Sequence, residues 1–571
     1  MDVRLDPAAK TVAGTERITY RNPSQDTLHE VWLRLYLRAF SGPDTLWMRE
    51  SGGTMRGFAA GGDSTGDITV SKLRLVDGTD LLATATMTDT LLRVPLPRSL
   101  GPGERIELDA TWTSKLPRVF ARTGYGGRDD TFFMVGQWYP KMAVYDRGRW
   151  DTEPWHARSE FFHDFGNYDV QVTVPEQYVI AGAGVPAGEP VVHNGLKTQR
   201  WTSTSVTDWA FAASPDFETR TARAGDVDVV LYLLPEHERA AAEYIETSVG
   251  SVQAFSRWFG PYPHPRLSVV DVPDNAAGAG GMEYPTLVTG GTLGAPLGSG
   301  LVSVVTSHEI AHQWWPMQTA TNEAREPWLD EGLTEYAGAR YMAEAGRTIG
   351  FANSRVSPAT LERSQYSIAP NHVATLPAWE YSEAAYGATV YAKVALGLWT
   401  LEGVAGTARF HQAMRAYLER YRWQHPTGTD FRASLEQSLD ADLGWFFDSY
   451  LHGAGVVDYA VGGIANGSNG SSVELLRQGE VPVPVDIRVT MATGRQSTET
   501  WDGREERRTL TQPATDPVVR VELDPDRKLK AELDVVDNAA SIRLQAAPTT
   551  TLAGRLAFWT QMFAQLLGLF G

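Results

Sequence analysis

No cysteine occurs among the 571 residues, which rules out disulfide cross-links and any thiol nucleophile. It says little about compartment, because many exported proteins also lack disulfides. Positive charge is the minority species: 51 Lys and Arg stand against 69 Asp and Glu, for a formal net charge of −18. Phosphate binding needs clustered Lys and Arg, so nucleic acid is not expected as a partner. Nor does an apolar run reach the roughly 20 residues that a membrane-spanning helix needs. The nearest is the uncharged stretch Leu556–Phe570, expected to form a short apolar C-terminal helix. Membrane association through 556–570 is one expectation for it, and packing against the body of the protein is the other. Met1-Asp2-Val3-Arg4-Leu5-Asp6 leads straight into a strand pattern with no charged n-region or apolar h-region. A cytoplasmic protein and one whose leader has been removed both fit, the balance lying with an extracytoplasmic or membrane-associated location. What is abundant is core material: 42% hydrophobic residues and 18 tryptophans argue against disorder. The length exceeds what one core usually supports, so three or four domains are expected.

His308-Glu309-Ile310-Ala311-His312 carries the chemistry. Two histidines four apart on a helix share a face, so both imidazoles can reach one cation. Leu301, Val305, His308 and His312 fall at helical spacing, which predicts a buried stripe that the ligands extend. Glu309 sits one position round, where it can face a water without occupying a ligand position. A catalytic zinc site keeps three protein donors, and the candidate for the third is Glu331 in Trp328-Leu329-Asp330-Glu331-Gly332. It begins a second helical stretch in which Leu333, Tyr336, Ala337 and Tyr341 are spaced to pack on the first. From composition alone, one HExxH in a chain this long has a chance on the order of one in a hundred. The downstream glutamate makes coincidence a poor account, and one Zn2+ per chain is expected.

The stretch His308–His312, eighteen intervening residues and then Glu331 within WLDEG resembles the aminopeptidase N family of gluzincin metallopeptidases, which includes leukotriene hydrolase. The family's Gly-x-Met-Glu-Asn segment has its counterpart in Gly280-Gly281-Met282-Glu283-Tyr284. The resemblance implies that Glu283 grips a substrate's free α-amine while Gly280, Gly281 and Met282 lie along the substrate backbone. Tyr284 replaces the family's Asn. Tyr391-Ala392-Lys393-Val394-Ala395-Leu396 is similar to the family's Tyr-x-Lys-Gly-Ala-Leu helix, whose tyrosine donates to the tetrahedral intermediate; Val394 replaces its Gly. Tyr386, five residues earlier, is the rival, and Lys393 with Ala395-Leu396 favours Tyr391. Gln137 in Gly136-Gln137-Trp138 is a further residue that the resemblance would bring to the site. By the same resemblance the chain is expected to be a zinc aminopeptidase acting on peptides, with Glu309 as general base; it is expected to be monomeric or weakly associated. A metalloendopeptidase, another zinc hydrolase and a non-catalytic peptide-binding scaffold are the alternatives.

The expected fold class is multi-domain α+β. Residues 1–215 alternate in the strand manner, as in Val31–Leu37 and Tyr168–Val174, and predict an antiparallel β domain. Residues 216–455 predict a thermolysin-like mixed α/β catalytic domain: helix over Glu236–Phe259, strands over Leu267–Val272 and Tyr284–Thr289, then the zinc helix and several others. Trp314-Trp315 meets Pro316, which should end that helix. Residues 456–540 read as a small β-sandwich, with Val481–Val489 alternating and a turn at Asn466–Ser471. Residues 541–571 are linker and apolar helix. The family's large C-terminal helical domain has no counterpart, which leaves recognition of a substrate's carboxyl end undefined.

Overall fold

The computed structural model describes residues 1–291, 300–351 and 354–542. It is a mixed α/β structure that divides into two compact units, Met1–Leu443 and Gly444–Gly571.

The first unit opens with an eight-stranded sheet in which Gly166–Pro175, Asp2–Asp6, Thr11–Arg21, Arg105–Lys115 and Asp67–Leu75 are successive neighbours. Every pairing among these five is antiparallel except that of Asp2–Asp6 with Gly166–Pro175. Thr11–Arg21 alternates buried with exposed residues along most of its length, as a sheet with one wet face requires. Two four-stranded sheets share its hydrophobic core, which includes indoles whose N–H groups are satisfied by carbonyls. Trp112 donates to the carbonyl of Trp138 at 3.2 Å, Trp138 to that of Trp209 at 3.1 Å, and Trp209 to that of Ala183 at 2.9 Å. Buried tryptophan needs such partners.

Next comes a five-stranded mixed sheet ordered Glu218–Ala224, Val227–Leu233, Arg266–Val270, Leu287–Thr289, Met282–Tyr284. The single strand read over Tyr284–Thr289 is in fact a hairpin that turns at Pro285-Thr286, with Thr286 at φ +62°. That turn places Glu283 on the sheet's edge strand. Helix α1 (Ala241–Phe259) starts later than the pattern suggests, because Pro235–Ala240 forms a 3₁₀ turn. Helices α2 (Leu301–Ala311), α3 (Glu331–Glu344), α4 (Pro358–Tyr366) and α5 (Val394–Ala405) follow. The predicted Leu301–Val305 stripe is corrected here. Both residues are half-buried, and Ser303, Thr306, Ser307 and Ile310 are buried instead. The cause is enclosure of the second half of α2, whose small hydroxyl residues allow close neighbours. A Cβ on Gly338 of α3 would lie 3.3 Å from the His308 nitrogen.

The second unit contains a three-stranded sheet, Tyr459–Gly467, Gly470–Arg477 and Arg507–Gln512. A four-stranded sheet adds Gln496–Trp501, Val485–Met491, Val518–Leu523 and Ala539–Ser541. Strand Val485–Met491 begins at Val485 rather than Val481, because Pro482 and Pro484 have no N–H to give a ladder. The Asn466–Ser471 turn is a tight hairpin with Gly467 opposite Gly470. Among the described residues no helix is long and apolar enough to cross a membrane. The apolar stretch 556–570 lies outside them.

Candidate active site

Helix α2 ends at Ala311, yet His312 keeps helical angles and its N–H still donates to the carbonyl of His308. Both imidazoles therefore point one way. Their Nε2 atoms are 3.2 Å apart, and Glu331 Oε2 lies 3.1 Å from that of His308 and 3.4 Å from that of His312. Donors about 2.0–2.1 Å from a tetrahedral zinc ion stand about 3.3 Å from one another. The three edges match that spacing, so the residues fit the ion that the donor set implies.

The far side of each ligand is held. His308 Nδ1 meets Glu335 Oε2 at 2.6 Å; His312 Nδ1 lies 2.7 Å from Asp330 Oδ1 and 3.1 Å from the carbonyl of Trp315. Such outer partners fix tautomer and ring angle. Burial works against charge on His308, but Glu331 and Glu335 outweigh it and raise the imidazole to about 10. The surroundings favour positive charge at this point. Glu331 goes the other way: burial opposes its charge, and the two histidines hold it well below the usual carboxylate range.

Glu309 is buried, and its Oε2 has no hydrogen-bond partner among the described residues. Burial raises its pKa, with the histidines countering. One oxygen each from Glu283 and Glu309 and one nitrogen of His312 lie within 4.8 Å of one another. Glu283 is thus a second buried carboxylate beside the triad, raised by burial and then by Glu160. Gly281 has φ +66°, and a Cβ there would stand 3.4 Å from Glu309 Oε1. Gly280 is closed by the Gly290 carbonyl, 2.8 Å from where its Cβ would be. Met282 is buried with its sulfur 3.4 Å from Arg122 Nη1.

Tyr391 donates its hydroxyl to Glu331 Oε1 and stacks on His308 with ring centroids 5.6 Å apart. Burial and Glu331 keep its pKa well above that of a free phenol. The rival Tyr386 has its ring 5.8 Å from that of Tyr391, and its hydroxyl is buried without a hydrogen-bond partner. A π-helical stretch, Gly387–Lys393, begins just after Tyr386, contains Tyr391 and runs into α5. Its wider turn aims Tyr391 in a way that ordinary helical spacing does not indicate. Gln137 is buried at φ +54°, and its Oε1 accepts from the Tyr284 hydroxyl at 3.1 Å. Tyr284 thereby engages Gln137 beside Glu283.

Sequence reasoning missed several neighbours. Glu335 is four residues after Glu331, so the helical repeat could have found it. The buried Arg122–Glu160 ion pair, buried Glu323 and Arg56 come from distant segments and leave no local signal.

Two buried histidines on one helix and a glutamate on the next make a candidate metal site that resembles that of the gluzincin metallopeptidases. Residues 244–450 match the Peptidase family M1 domain. It is 25% identical over 292 residues to aminopeptidase M1-B of Oryza sativa subsp. japonica, covering 47% of this chain and 32% of that protein. It is 26% identical over 344 residues to human glutamyl aminopeptidase, covering 55% and 35%. The chain thus spans about a third of the length of these curated relatives. In fold it is similar to an M1 zinc metallopeptidase from Deinococcus radiodurans, with TM-score 0.56, 19% identity, and coverage of 79% and 92%. Legionella pneumophila aminopeptidase A, solved with aspartic acid, gives TM-score 0.64 at 15% identity, with coverage of 93% and 58%.

Proposed function

We propose that this chain is a zinc-dependent aminopeptidase that removes N-terminal residues from peptides. The observation that carries the reading is Glu283, a buried carboxylate within 4.8 Å of donor atoms of His312 and Glu309. A carboxylate kept out of water beside a metal triad calls for a cationic partner, and a free α-amine supplies one. His308, His312 and Glu331 would hold Zn2+, which when bound acts as a Lewis acid and brings the pKa of water toward about 7. Glu309 takes the proton of the attacking water on its unpartnered Oε2 and returns it to the leaving amine. The neutral Tyr391 hydroxyl donates to the carbonyl oxygen as negative charge develops there. Gly281 lets the substrate backbone pass close to Glu309.

In this reading residues 1–215 wall the cleft, a thermolysin-like 216–455 carries the chemistry, and 456–540 is a β-sandwich. The protein acts as a monomer with one zinc, in an extracytoplasmic or membrane-associated setting. The test is hydrolysis of free and N-acetylated peptides by metal-analysed protein, with and without chelator. Chelator-sensitive cleavage of the free peptide alone is expected. Equal rates on the acetylated peptide would leave a metalloendopeptidase, and no cleavage with zinc bound would leave a binding scaffold.

A further inference from the structure

The described site accounts for the amino end of a substrate and for the scissile bond, but nothing in it addresses the other end. Arg56 stands where that end would pass. Thr54–Met55 and Phe58–Ala59 form a hairpin with Met55 opposite Phe58, so Arg56 and Gly57 are its two-residue turn. Their φ angles are +48° and +85°. A turn with two left-handed residues is the natural home of Asn and Gly, and Arg adopts that conformation reluctantly. Strain of this kind in a non-glycine residue points to a role for its side chain.

The guanidinium reaches across to the Met282–Tyr284 edge strand, where Arg56 Nη1 donates to the Gly281 carbonyl at 3.1 Å. The point where a Gly281 Cβ would stand is 3.4 Å from Arg56 Nη1 and equally 3.4 Å from Glu309 Oε1. Arg56 and the proton-accepting carboxylate thus flank the same small gap. The Arg56 side chain is exposed, and the remaining donors of its fork have no partner among the described residues. Strand Met282–Tyr284 is an open edge whose pairing is with Leu287–Thr289, and an extended peptide adds to such an edge. With its amine on Glu283, that peptide passes Gly281 and then Arg56. Residues rise about 3.3 Å each in such a chain, so the carboxylate of a di- or tripeptide arrives within reach of the guanidinium.

We propose that Arg56 is a specificity-determining residue that binds a substrate carboxylate beyond the scissile bond, which makes short peptides with a free C-terminus the preferred substrate class. The proposal rests on the aminopeptidase reading. Guanidinium and carboxylate form a two-pronged, charge-assisted pair, and such a contact is worth about ten- to hundredfold in kcat/KM.

The experiment compares trialanine, its C-terminal amide, and the amide of Ala-Asp-Ala on the zinc-loaded full chain and on Arg56→Asn. Asparagine suits the left-handed turn, so the hairpin is retained, and zinc content and melting temperature verify folding. The wild type should favour trialanine over its amide by at least about tenfold, and the ratio should fall to near one in R56N. Recovery of rate with the Ala-Asp-Ala amide would show that a side-chain carboxylate serves as well. Equal rates on trialanine and its amide in the wild type overturn the proposal, as does a preference that survives in R56N; the aminopeptidase reading stands in both cases. Failure to cleave any free-amine peptide removes both readings.

Discussion

Gly332, next to Glu331, the proposed third ligand, offers a test of how the proposed metal site is held in place. A Cβ at this position would lie 2.3 Å from Val394 Cγ1, 2.6 Å from Val394 Cβ and 2.9 Å from the Val390 carbonyl. Carbon atoms at rest keep about 3.5–4.0 Å, so Gly332→Ala must push α3 and the π-helical segment apart by about an ångström. Overpacking of that order costs about 1–3 kcal/mol, a fall of roughly 1–3 °C in melting temperature for a unit of this size. Because Glu331 moves with Gly332, zinc affinity should drop at least about tenfold. Val394 occupies the position of the family's glycine, so Val394→Gly removes the two nearest obstructing atoms. The pair should therefore be coupled: V394G is harmful alone, yet in the G332A background it restores part of both losses. A coupling of about 1–2 kcal/mol is expected. Thermal melting and competitive zinc titration of the four proteins measure it. Unchanged melting and zinc affinity in G332A, or strictly additive losses, would refute the reasoning.

Other outcomes are equally direct. Glu309→Gln should keep zinc at wild-type stoichiometry while turnover is lost, whereas Glu331→Ala should release the metal; elemental analysis beside a peptide assay distinguishes them. Glu335→Gln leaves His308 Nδ1 with a weaker, neutral partner and should weaken zinc binding by about 10–100-fold. In the second unit, burial raises Glu532 to about 8, against a backbone N–H from Tyr459 at 3.0 Å. A carboxyl raised in the folded state binds more protons there than when unfolded, so its stabilising effect is complete below about 4.5 and is lost as pH climbs through 8. Glu532→Gln keeps the acceptor for Tyr459 and should flatten that loss, making the variant more stable than wild type by a few kcal/mol (about 2–4) at pH 9. Urea denaturation at pH 5 and pH 9 checks it, and parallel pH profiles for both proteins would count against the assignment.

Legibility of the site in the sequence followed the range of the interactions. The convergence of His308, His312 and Glu331 depends on two helical repeats and one short connection, so residue types and spacing suffice to propose it. Glu283 needed the family pattern, since nothing local says that a Gly-Gly-Met-Glu segment lies beside a helix. Arg122 with Glu160 and Arg56 with Gly281 join segments far apart in the chain, and no periodicity encodes such meetings. The spacing of Leu301 and Val305 misleads because a helix enclosed along its second half has no single apolar face. Alternation sets the start of the Val485 strand too early because it ignores proline's missing N–H. The π-helical stretch before α5 lies beyond reading by pattern, because its wider turn depends on what packs around it.

The Arg56 hairpin separates what this protein does from what it does it to. The residues proposed to hold the metal, carry the proton and donate to the oxyanion sit buried in helices, where almost any exchange disturbs its neighbours. The tip that faces the departing half of the substrate is two residues in a solvent-washed turn, tolerant of replacement. Appetite for one peptide tail or another can therefore drift, or be redesigned, by rewriting that turn while the hydrolytic engine stays untouched.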